Sequence, residues 1–248
     1  MLNLLNAEWI KVRSVRVNIV LACLAAAIPI IIVVLVAALE GHPSDQSTQD
    51  FIGLITGTMV LTSLLMGVIG ALNLTGEFSH GTIRTTFAAT PKRRQVLVVK
   101  AIVALVSALV FAAVVAVVCV VVGPAILSSR GAPQHLESHH WSALLGVVLL
   151  AGLLALFGYG LGLLIRSSPA TVVVFVLWPL LLEGLIALVL RVAGVDDPIR
   201  WLPYQRAIQM ANPETDGDHG RWAGGIYMGV VVLVIIAVGI FVNERRDA

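Results

Sequence analysis

The sequence predicts an all-α, polytopic integral membrane protein that forms a single domain over residues 1–248. Of the 248 residues, 58% are hydrophobic and only 12% are charged, and the mean hydropathy is +0.97. Soluble domains carry about 25% charged residues. The apolar residues also fall in nearly uncharged segments of the ~20 residues that a helix needs to cross a bilayer. Little sequence remains for a water-soluble domain, and a net charge of +2 does not favour a nucleic-acid partner.

Residues 1–16 predict an N-terminal amphipathic helix. Leu2, Leu5 and Trp9 recur at helical spacing, while Lys11 and Arg13 lie elsewhere on the helix surface. Such a helix lies in the membrane interface, where Trp9 would anchor it. The alternative is an irregular segment beside the membrane.

Six transmembrane helices follow this segment. The third is longer than one crossing requires, so we expect it to tilt or to project from the bilayer, with Gly123-Pro124 at its outer end. We place the spans at residues 17–39, 51–75, 96–127, 141–165, 170–192 and 222–242.

Charge sets the orientation of these spans. An even number of crossings puts both termini on one side, and placing them inside puts eleven of the sixteen Lys and Arg residues on the cytoplasmic side. Cytoplasmic loops are enriched in these residues. We therefore expect a multi-pass protein of the cell inner (plasma) membrane with both termini in the cytoplasm.

The segment between spans five and six, residues 191–221, is an unusual loop. It combines the apolar Trp201, Tyr204 and Met210 with three prolines. A re-entrant or cap-like outer element is the favoured interpretation, because non-helical backbone at membrane depth is tolerated where it packs against protein. An ordinary surface loop is the alternative.

Small residues at four-residue spacing predict close approach between membrane helices. Each pair alone is a weak signal in a chain with 22 glycines. The Gly-x-x-x-Gly pairs are Gly53/Gly57, Gly158/Gly162, Gly220/Gly224 and Gly225/Gly229.

Several kinds of chemistry are excluded. A phosphate-binding loop places a lysine after a glycine, and Lys11, Lys92 and Lys100 do not follow glycine. We find no catalytic constellation and expect no cofactor in this chain, which is therefore not predicted to be an enzyme. The outer loop at residues 135–140 contains histidines and an acid of the types that bind zinc or copper. A solvated His-rich loop is the favoured interpretation, so no metal site is predicted.

Glu183 is the acid that lies well inside an apolar segment, where a charge is costly and marks a candidate functional residue. It lines the substrate pathway, pairs with Arg191, or stays protonated, and the sequence leaves these alternatives open. The scarcity of intramembrane charge favours an amphipathic or hydrophobic cargo, such as a drug, an antibiotic or a lipid-like molecule. The predicted pathway residues, on spans two and five, are Thr56, Thr58, Thr62, Ser63, Met66 and Glu183.

The stretch at residues 76–100 is the longest polar interruption between the apolar segments. It carries five of the sixteen Lys and Arg residues against a single acid, Glu77. A partner can shift a conformational equilibrium only through contacts that differ between the two states, and a short helix between spans two and three is a suitable lever. Residues 92–94 have an alternative use, which is attraction to anionic lipid.

Ordered motifs along the chain carry a family resemblance. The motifs are Glu8-Trp9-x-Lys11-x-Arg13; Glu77-x-x-x-Gly81-Thr82-Ile83-Arg84, followed by Thr90-Pro91-x-Arg93-Arg94 and by Lys100 at the start of the next span; and Gly160-x-Gly162-x-x-x-Arg166-x-Ser168 before span five. Together with the six spans, they resemble the membrane subunit of ABC-2 type transporters.

The resemblance implies that the chain is one half of an exporter that works by alternating access. Drug efflux is one type of activity that such an exporter carries out. The half would pair with an identical or sister six-helix half, and together they would bind two copies of an ABC ATPase subunit, which holds ATP and Mg. Residues 77–90 would be the cytoplasmic coupling helix, and Glu8, Trp9, Lys11 and Arg13 would belong to the interfacial elbow.

A non-transporting membrane scaffold or sensor is the rival function, and an intramembrane enzyme is a third alternative. An accompanying ATPase would separate the exporter from both. The ATPase-docking residues that the resemblance implies are Glu77, Gly81, Thr82, Ile83, Arg84, Pro91 and Arg94.

Overall fold

The computed structural model describes residues 7–11, 14–42, 47–83, 93–214 and 218–246. Within these residues the regular structure is helical and no strand occurs. A π-helical turn, Trp178–Leu182, joins α5 to α6, and 3-10 turns at Pro198–Trp201 and Gln209–Ala211 flank α7. The α-helices are α1 (Arg16–Leu39), α2 (Thr48–Ser79), α3 (Arg93–Ser129), α4 (Ser138–Ile165), α5 (Ser168–Leu177), α6 (Glu183–Val192), α7 (Pro203–Ile208) and α8 (Asp218–Arg246).

The described part of the chain contains six helices that are long and apolar enough to cross a membrane, which confirms the predicted number of spans. The fifth span, Ser168–Val192, comprises α5, the π-helical turn and α6. The third, α3, has 37 residues and continues through Pro124 to Ser129. The predicted end of the span at residue 127 lies two residues before the observed end, and Gly123-Pro124 does not mark the outer end of the helix. A proline removes one backbone hydrogen bond, but Gly123 lies close to the side chains of Phe51 and Val33, and this packing supports the helix.

The N-terminal stretch before α1 is helical over residues 7–11. Trp9 is 37% exposed, whereas Glu8 on another side of the stretch is buried. Lys11 is exposed, and the predicted elbow residue Arg13 lies outside the described residues. A position of this stretch in the membrane interface stays a prediction.

Helices α2 and α4 form the centre of the bundle. In the most apolar 18-residue stretch of each span, 56% of the residues are buried in α2 and 67% in α4, against 17–28% in the other four spans. Glycine allows the two backbones to meet, because a Cβ atom on Gly70 would collide with the carbonyl group of Ala155, and one on Gly158 with that of Gly67. These contacts make α2 and α4 a tightly packed pair.

The predicted glycine faces are confirmed in part. A Cβ on Gly162 would lie 3.0 Å from the Thr75 side chain, so the Gly158/Gly162 pair does pack closely. In the C-terminal region, Gly224 and Gly225 lie against the segment that contains α7. The expectation for Gly57 is wrong, since a Cβ there would meet nothing within 4 Å. Gly220 is equally open, and Gly53 and Gly229 allow only ordinary contacts.

The segment between spans five and six packs on the bundle as a series of short helices. Tyr204, Ala207 and Met210 are buried, and a Cβ on Gly146 of α4 would collide with the Met210 backbone. Residues 198–211 are therefore a packed element and not an ordinary surface loop. Its depth in the membrane, and hence its re-entrant character, stays a prediction.

Both ends of the described chain lie at the same end of the bundle, as six crossings require. Glu8 contacts Lys100 near the start of α3, and Asn243 of α8 contacts Arg166 after α4. We call this the proximal end. The opposite end, which carries α7, is the distal end.

Candidate functional site at the proximal end of the bundle

Four charged residues meet at the proximal end and form what we call the ion cluster: Glu8, Lys11, Glu77 and Lys100. The ammonium nitrogen of Lys100 lies 2.6 Å from a carboxylate oxygen of Glu8 and 2.6 Å from Oε1 of Glu77. Lys11 lies 2.9 Å from Glu8 and 3.0 Å from the same Glu77 oxygen. The cluster thus joins the N-terminal helical stretch to α2 and α3.

Local structure explains why these side chains converge. Glu8 and Lys11 are three residues apart and therefore share a helix face. Glu77 lies in the last turn of α2, which ends at Ser79, and Lys100 lies two turns after the start of α3 at Arg93. A lysine inside an apolar run requires a partner, and the two glutamates supply it.

The cluster is largely removed from water. Only 4% of the Lys100 side chain, 9% of that of Glu8 and 12% of that of Glu77 is exposed. Oε2 of Glu77 is buried and accepts no hydrogen bond within the described part of the chain. Removal of one partner from a buried ion pair costs about 3 to 5 kcal/mol, because the remaining charge is left without compensation.

Lys11 is the outer member of the ion cluster, with 46% of its side chain exposed. Burial lowers the pKa of Lys11, but the hydrogen bonds and negative charges of Glu8 and Glu77 outweigh burial and raise it above its ordinary value. Lys11 therefore stays charged at neutral pH and contributes a second positive charge to the pair of carboxylates.

A second set of contacts anchors the end of α2 to the other side of the bundle. Arg166, which ends α4 in a left-handed conformation (φ 58°), lies with its guanidinium 5.2 Å from the ring centre of Phe78. Its Nε donates to Oδ1 of Asn243 at 3.0 Å, and Asn243 donates to the Leu163 carbonyl at 2.9 Å. These bonds connect α2, α4 and α8.

The last residue of α2 also contacts α5. The hydroxyl groups of Ser79 and Ser168 lie 3.2 Å apart. With the ion cluster and Arg166, this contact brings α3, α4, α5, α8 and the N-terminal stretch to the last turn of α2. The segment predicted to bind an ATPase, residues 77–90, begins within this turn.

The predicted docking residues are distributed over different environments. Gly81 adopts a left-handed conformation (φ +70°) that favours glycine and turns the chain after α2. Thr82 and Arg94 are exposed, whereas Ile83 is 7% exposed and packs in the apolar core. Two further predicted docking residues, Arg84 and Pro91, lie outside the described residues, as does the second half of the predicted coupling helix at 77–90.

Glu77 requires a correction. We expected it to start a separate coupling helix, but α2 continues through Ser79, so Glu77 belongs to the spanning helix. Its carboxylate contacts Lys11 and Lys100 of the same chain. A docking role for the segment that follows stays a prediction.

The predicted pathway residues of α2 do not converge on one cavity. Thr62 donates to the Ala25 carbonyl of α1 at 2.7 Å, and Ser63 lies 3.3 Å from the Val147 carbonyl of α4, so both join helices. Met66 is 5% exposed in the core, and Thr58 donates to carbonyl groups of its own helix. Thr56 lines a cavity of about 460 Å³ at the distal end.

Glu183 has a specific structural environment. Its carboxylate is fully buried and accepts hydrogen bonds from the backbone N–H groups of Tyr204 and Gln205, each at 2.9 Å. The indole N–H of Trp178 donates a third bond at 2.9 Å. Glu183 forms no ion pair with Arg191 within the described residues, so the expected alternative of that pairing is wrong. Burial and then the Glu183 charge raise the pKa of Tyr204 to about 12.

The histidines at the distal end take part in the start of α4. His140 is 3% exposed and its Nδ1 accepts the backbone N–H of Glu137 at 3.0 Å. The Glu137 carboxylate lies 3.5 Å from Nδ1 of His139. Among the described residues, no group of three His, Cys, Asp or Glu side chains is placed to hold a metal ion.

The ion cluster was missed as a unit at the level of sequence. Glu77 was interpreted as a docking residue, and Lys100 only as a basic residue near the start of a span. One signal was available, since Lys100 is followed and preceded by apolar residues in VLVVKAIVAL and intramembrane lysines pair with an acid. No comparable signal pointed to Glu8 as the partner, because it lies 92 residues away.

Comparison with known proteins supports the family resemblance. Residues 4–192 match a family model described as "ABC-2 family transporter protein". The match covers the N-terminal stretch, the ion cluster and the first five spans. No curated protein matches the sequence significantly.

Proposed function

Because the chain belongs to the ABC-2 family of transporter proteins, we propose that it is the permease subunit of an ABC exporter. It moves an amphipathic or hydrophobic cargo across the membrane by alternating access, and a separate ATPase subunit supplies the energy. Two ATPase copies bind at the proximal end, on the cytoplasmic side, and hold ATP and Mg. The chain itself carries out no ATP hydrolysis.

The observation that carries this proposal is the set of contacts around the last turn of α2. A displacement of the segment after Ser79 is transmitted to the N-terminal stretch and α3 through the ion cluster. It is transmitted to α4, α5 and α8 through Phe78, Arg166 and Ser168. A partner that binds this segment can therefore bias the whole bundle, provided that it binds the two conformations with different affinity.

The proposed docking surface lies on the segment after α2. Thr82 and Arg94 are exposed at its two ends. Arg84, between them in the sequence, has a planar guanidinium group that suits a protein contact. Glu77 and Ile83 act from beneath this surface, because their side chains hold the segment to the bundle.

Cargo crosses the membrane between two halves, identical or sister chains. The close packing of α2 on α4 at Gly70 and Gly158 leaves no passage between the two central helices. Thr62 and Ser63 are used in bonds between helices. A pathway inside a single bundle would have to break these contacts.

The experiment is purification of the tagged chain from its native membranes, with measurement of subunit stoichiometry and of ATP hydrolysis. We expect an ATPase subunit in equal number to the permease chains, and hydrolysis stimulated by cargo. The Arg84→Ala variant should retain membrane insertion and lose most of the stimulation, whereas Arg200→Ala, at the distal end, serves as the matched control. A chain that co-purifies with no ATPase would favour the scaffold function instead.

A further inference from the structure

A cavity of about 730 Å³ lies at the proximal end, beside the ion cluster. Its volume is within the range of about 300 to 1,000 Å³ that binds small molecules. The walls come from the N-terminal stretch, the start of α1, the end of α2 and the first residue of α5, Ser168. It lies at the end of the spans, where a membrane protein meets the lipid headgroups.

The cavity is open to the surface that lipid covers. Val15 and Val17, on its α1 side, are 46% and 54% exposed, and a membrane is the medium in which such apolar side chains are exposed without cost. Deeper in the cavity, Asn18 donates to Asn73 across the gap between α1 and α2. An occupant that enters here has an apolar part near α1 and a polar part near Asn73.

One carboxylate oxygen of the lining favours a cationic group with N–H donors. Among the described residues that line the cavity, Glu8 and Glu77 carry carboxylates, Lys11 carries an ammonium group and His80 carries an imidazole. Lys11 and Lys100 already pair with both carboxylates. Both lysines of the ion cluster bind Oε1 of Glu77, whereas Oε2 accepts no hydrogen bond from the described chain. A buried carboxylate oxygen without a donor is costly, and a primary ammonium group would satisfy it after a small shift of the side chain.

Lys11 at the rim offers a donor to an anion next to that ammonium group. It lines the cavity and is exposed, and Glu8 and Glu77 use two of the three N–H groups of its ammonium. The hydroxyls of Ser14 and Thr82, which also line the cavity, donate to the carbonyl groups of Lys11 and Glu77. The pattern of a carboxylate oxygen inside and an ammonium group at the rim matches a zwitterion that carries a primary amine and a phosphodiester. Such a headgroup, attached to acyl chains, is that of an ethanolamine phospholipid.

We propose that this cavity binds one ethanolamine phospholipid per chain, with its ammonium group at Glu77, its phosphate at Lys11 and its acyl chains along the start of α1. The lipid fills the space between the N-terminal stretch, α1 and α2, and so supports the same turn of α2 that carries the ion cluster. It is a resident ligand and not the cargo. The proposal goes beyond the exporter function, because lipid binding needs no ATPase.

The test is native mass spectrometry of the full chain in neutral detergent, titrated with three lipids that have the same acyl chains. Phosphatidylethanolamine has N–H donors, phosphatidylcholine has a cation without them, and phosphatidylglycerol has no cation. We expect one phosphatidylethanolamine per chain, bound about tenfold more tightly than either other lipid, as one charge-assisted hydrogen bond provides. Equal binding of the three lipids would overturn the proposal.

Two variants locate the site. A Cβ on Gly76, which lines the cavity, meets nothing within 4 Å, so Gly76→Leu fills the cavity without a collision at the backbone. It should weaken phosphatidylethanolamine binding by about tenfold or more. Gly57→Leu is the matched control, since Gly57 is on the same helix, is equally open and lines the distal cavity. Unchanged binding by Gly76→Leu, or equal loss in both variants, would contradict the assignment.

Glu77→Gln tests the headgroup contact separately. The ratio of the affinities for phosphatidylethanolamine and phosphatidylcholine should fall towards one. The ratio is the readout, because the variant also removes a charge from the ion cluster and so affects the binding of both lipids. A retained preference would overturn the role of the carboxylate. If ATP added to the reconstituted complex with its ATPase moves the bound lipid to the opposite leaflet, the lipid is cargo, and the assignment as a resident ligand fails.

Discussion

The two ends of the bundle are held by different kinds of contact. At the proximal end, charged side chains bind each other, as Lys100 binds Glu8 and Glu77 at 2.6 Å. At the distal end, charged side chains bind backbone groups. Glu183 accepts two backbone N–H groups of the segment around α7, and Arg130 donates to carbonyl groups at the end of α1 at 2.9 and 2.7 Å.

This difference suits different tasks. A side chain that binds backbone groups fixes an irregular segment in place, because those groups have no helical partner. A cluster of side chains can rearrange while every helix stays intact, and its strength depends on the charge of each member. In the proposed exporter, the movable end is the one that an ATPase contacts, and the fixed end closes the bundle on the opposite side.

The largest effect should come from Lys100→Met. The variant leaves the carboxylates of Glu8 and Glu77 with only the partly exposed Lys11, so we expect a loss of about 3 to 5 kcal/mol in the free energy of unfolding. Unfolding by detergent titration measures it. Arg94→Ala, on the exposed side of the first turns of the same helix, should stay within about 0.5 kcal/mol. Equal effects of the two variants would show that the ion cluster contributes nothing specific.

Glu183→Gln should have a smaller and more local effect. The amide has a single acceptor oxygen for the N–H groups of Tyr204 and Gln205, so we expect a loss of about 2 kcal/mol. Hydrogen exchange at these two amides should become faster, while exchange at the proximal end is unchanged. The control is Asp197→Asn, an exposed acid in the same connection. If the amides of Tyr204 and Gln205 exchange as slowly in Glu183→Gln as in the wild type, the proposed role of this carboxylate is contradicted.

The smallest effect should come from Lys11, and it should depend on pH. The folded-state pKa of Lys11 is raised above its ordinary value of 10.5, so its contribution is present below that value and is lost as the pH rises through the folded-state pKa. The Lys11→Met variant should lose less than about 1 kcal/mol at neutral pH, because the side chain is partly exposed. The difference in unfolding free energy between wild type and variant should vanish above the raised pKa. A difference that grows with pH would contradict this assignment.

The sequence predicted the spans well because hydrophobic length is a property of each segment alone. It predicted a close-packing face at Gly158 for the same reason, since a small residue permits contact wherever the helix packs, but it did not identify α2 as the partner helix. The packing beside Pro124 was not predictable, because it depends on Phe51 and Val33 from other helices.

The site was harder to predict than the fold. Glu183 was selected as a candidate pathway residue because it is an acid in an apolar segment. Two of its partners are backbone groups 21 and 22 residues later in the chain, and no local pattern marks them. Glu77 belongs to a motif that the family resemblance assigned to docking. Its contacts with Lys100 and Lys11 depend on how α3 and the N-terminal stretch meet α2.

The central claim is that the proximal end faces the cytoplasm and there contacts an ATPase. Labelling of a single cysteine tests it most directly. Thr82→Cys is introduced into a chain whose native cysteines, Cys23 and Cys119, are replaced by alanine, and intact cells are treated with a membrane-impermeant maleimide. Glu214→Cys, exposed at the distal end, is the control.

We predict that Glu214→Cys is labelled in intact cells and that Thr82→Cys is labelled only after the membrane is permeabilised. The bound ATPase should then protect Thr82→Cys from the reagent. Labelling of Thr82→Cys in intact cells would contradict the account, because the proposed docking segment would lie on the side of the membrane without ATP.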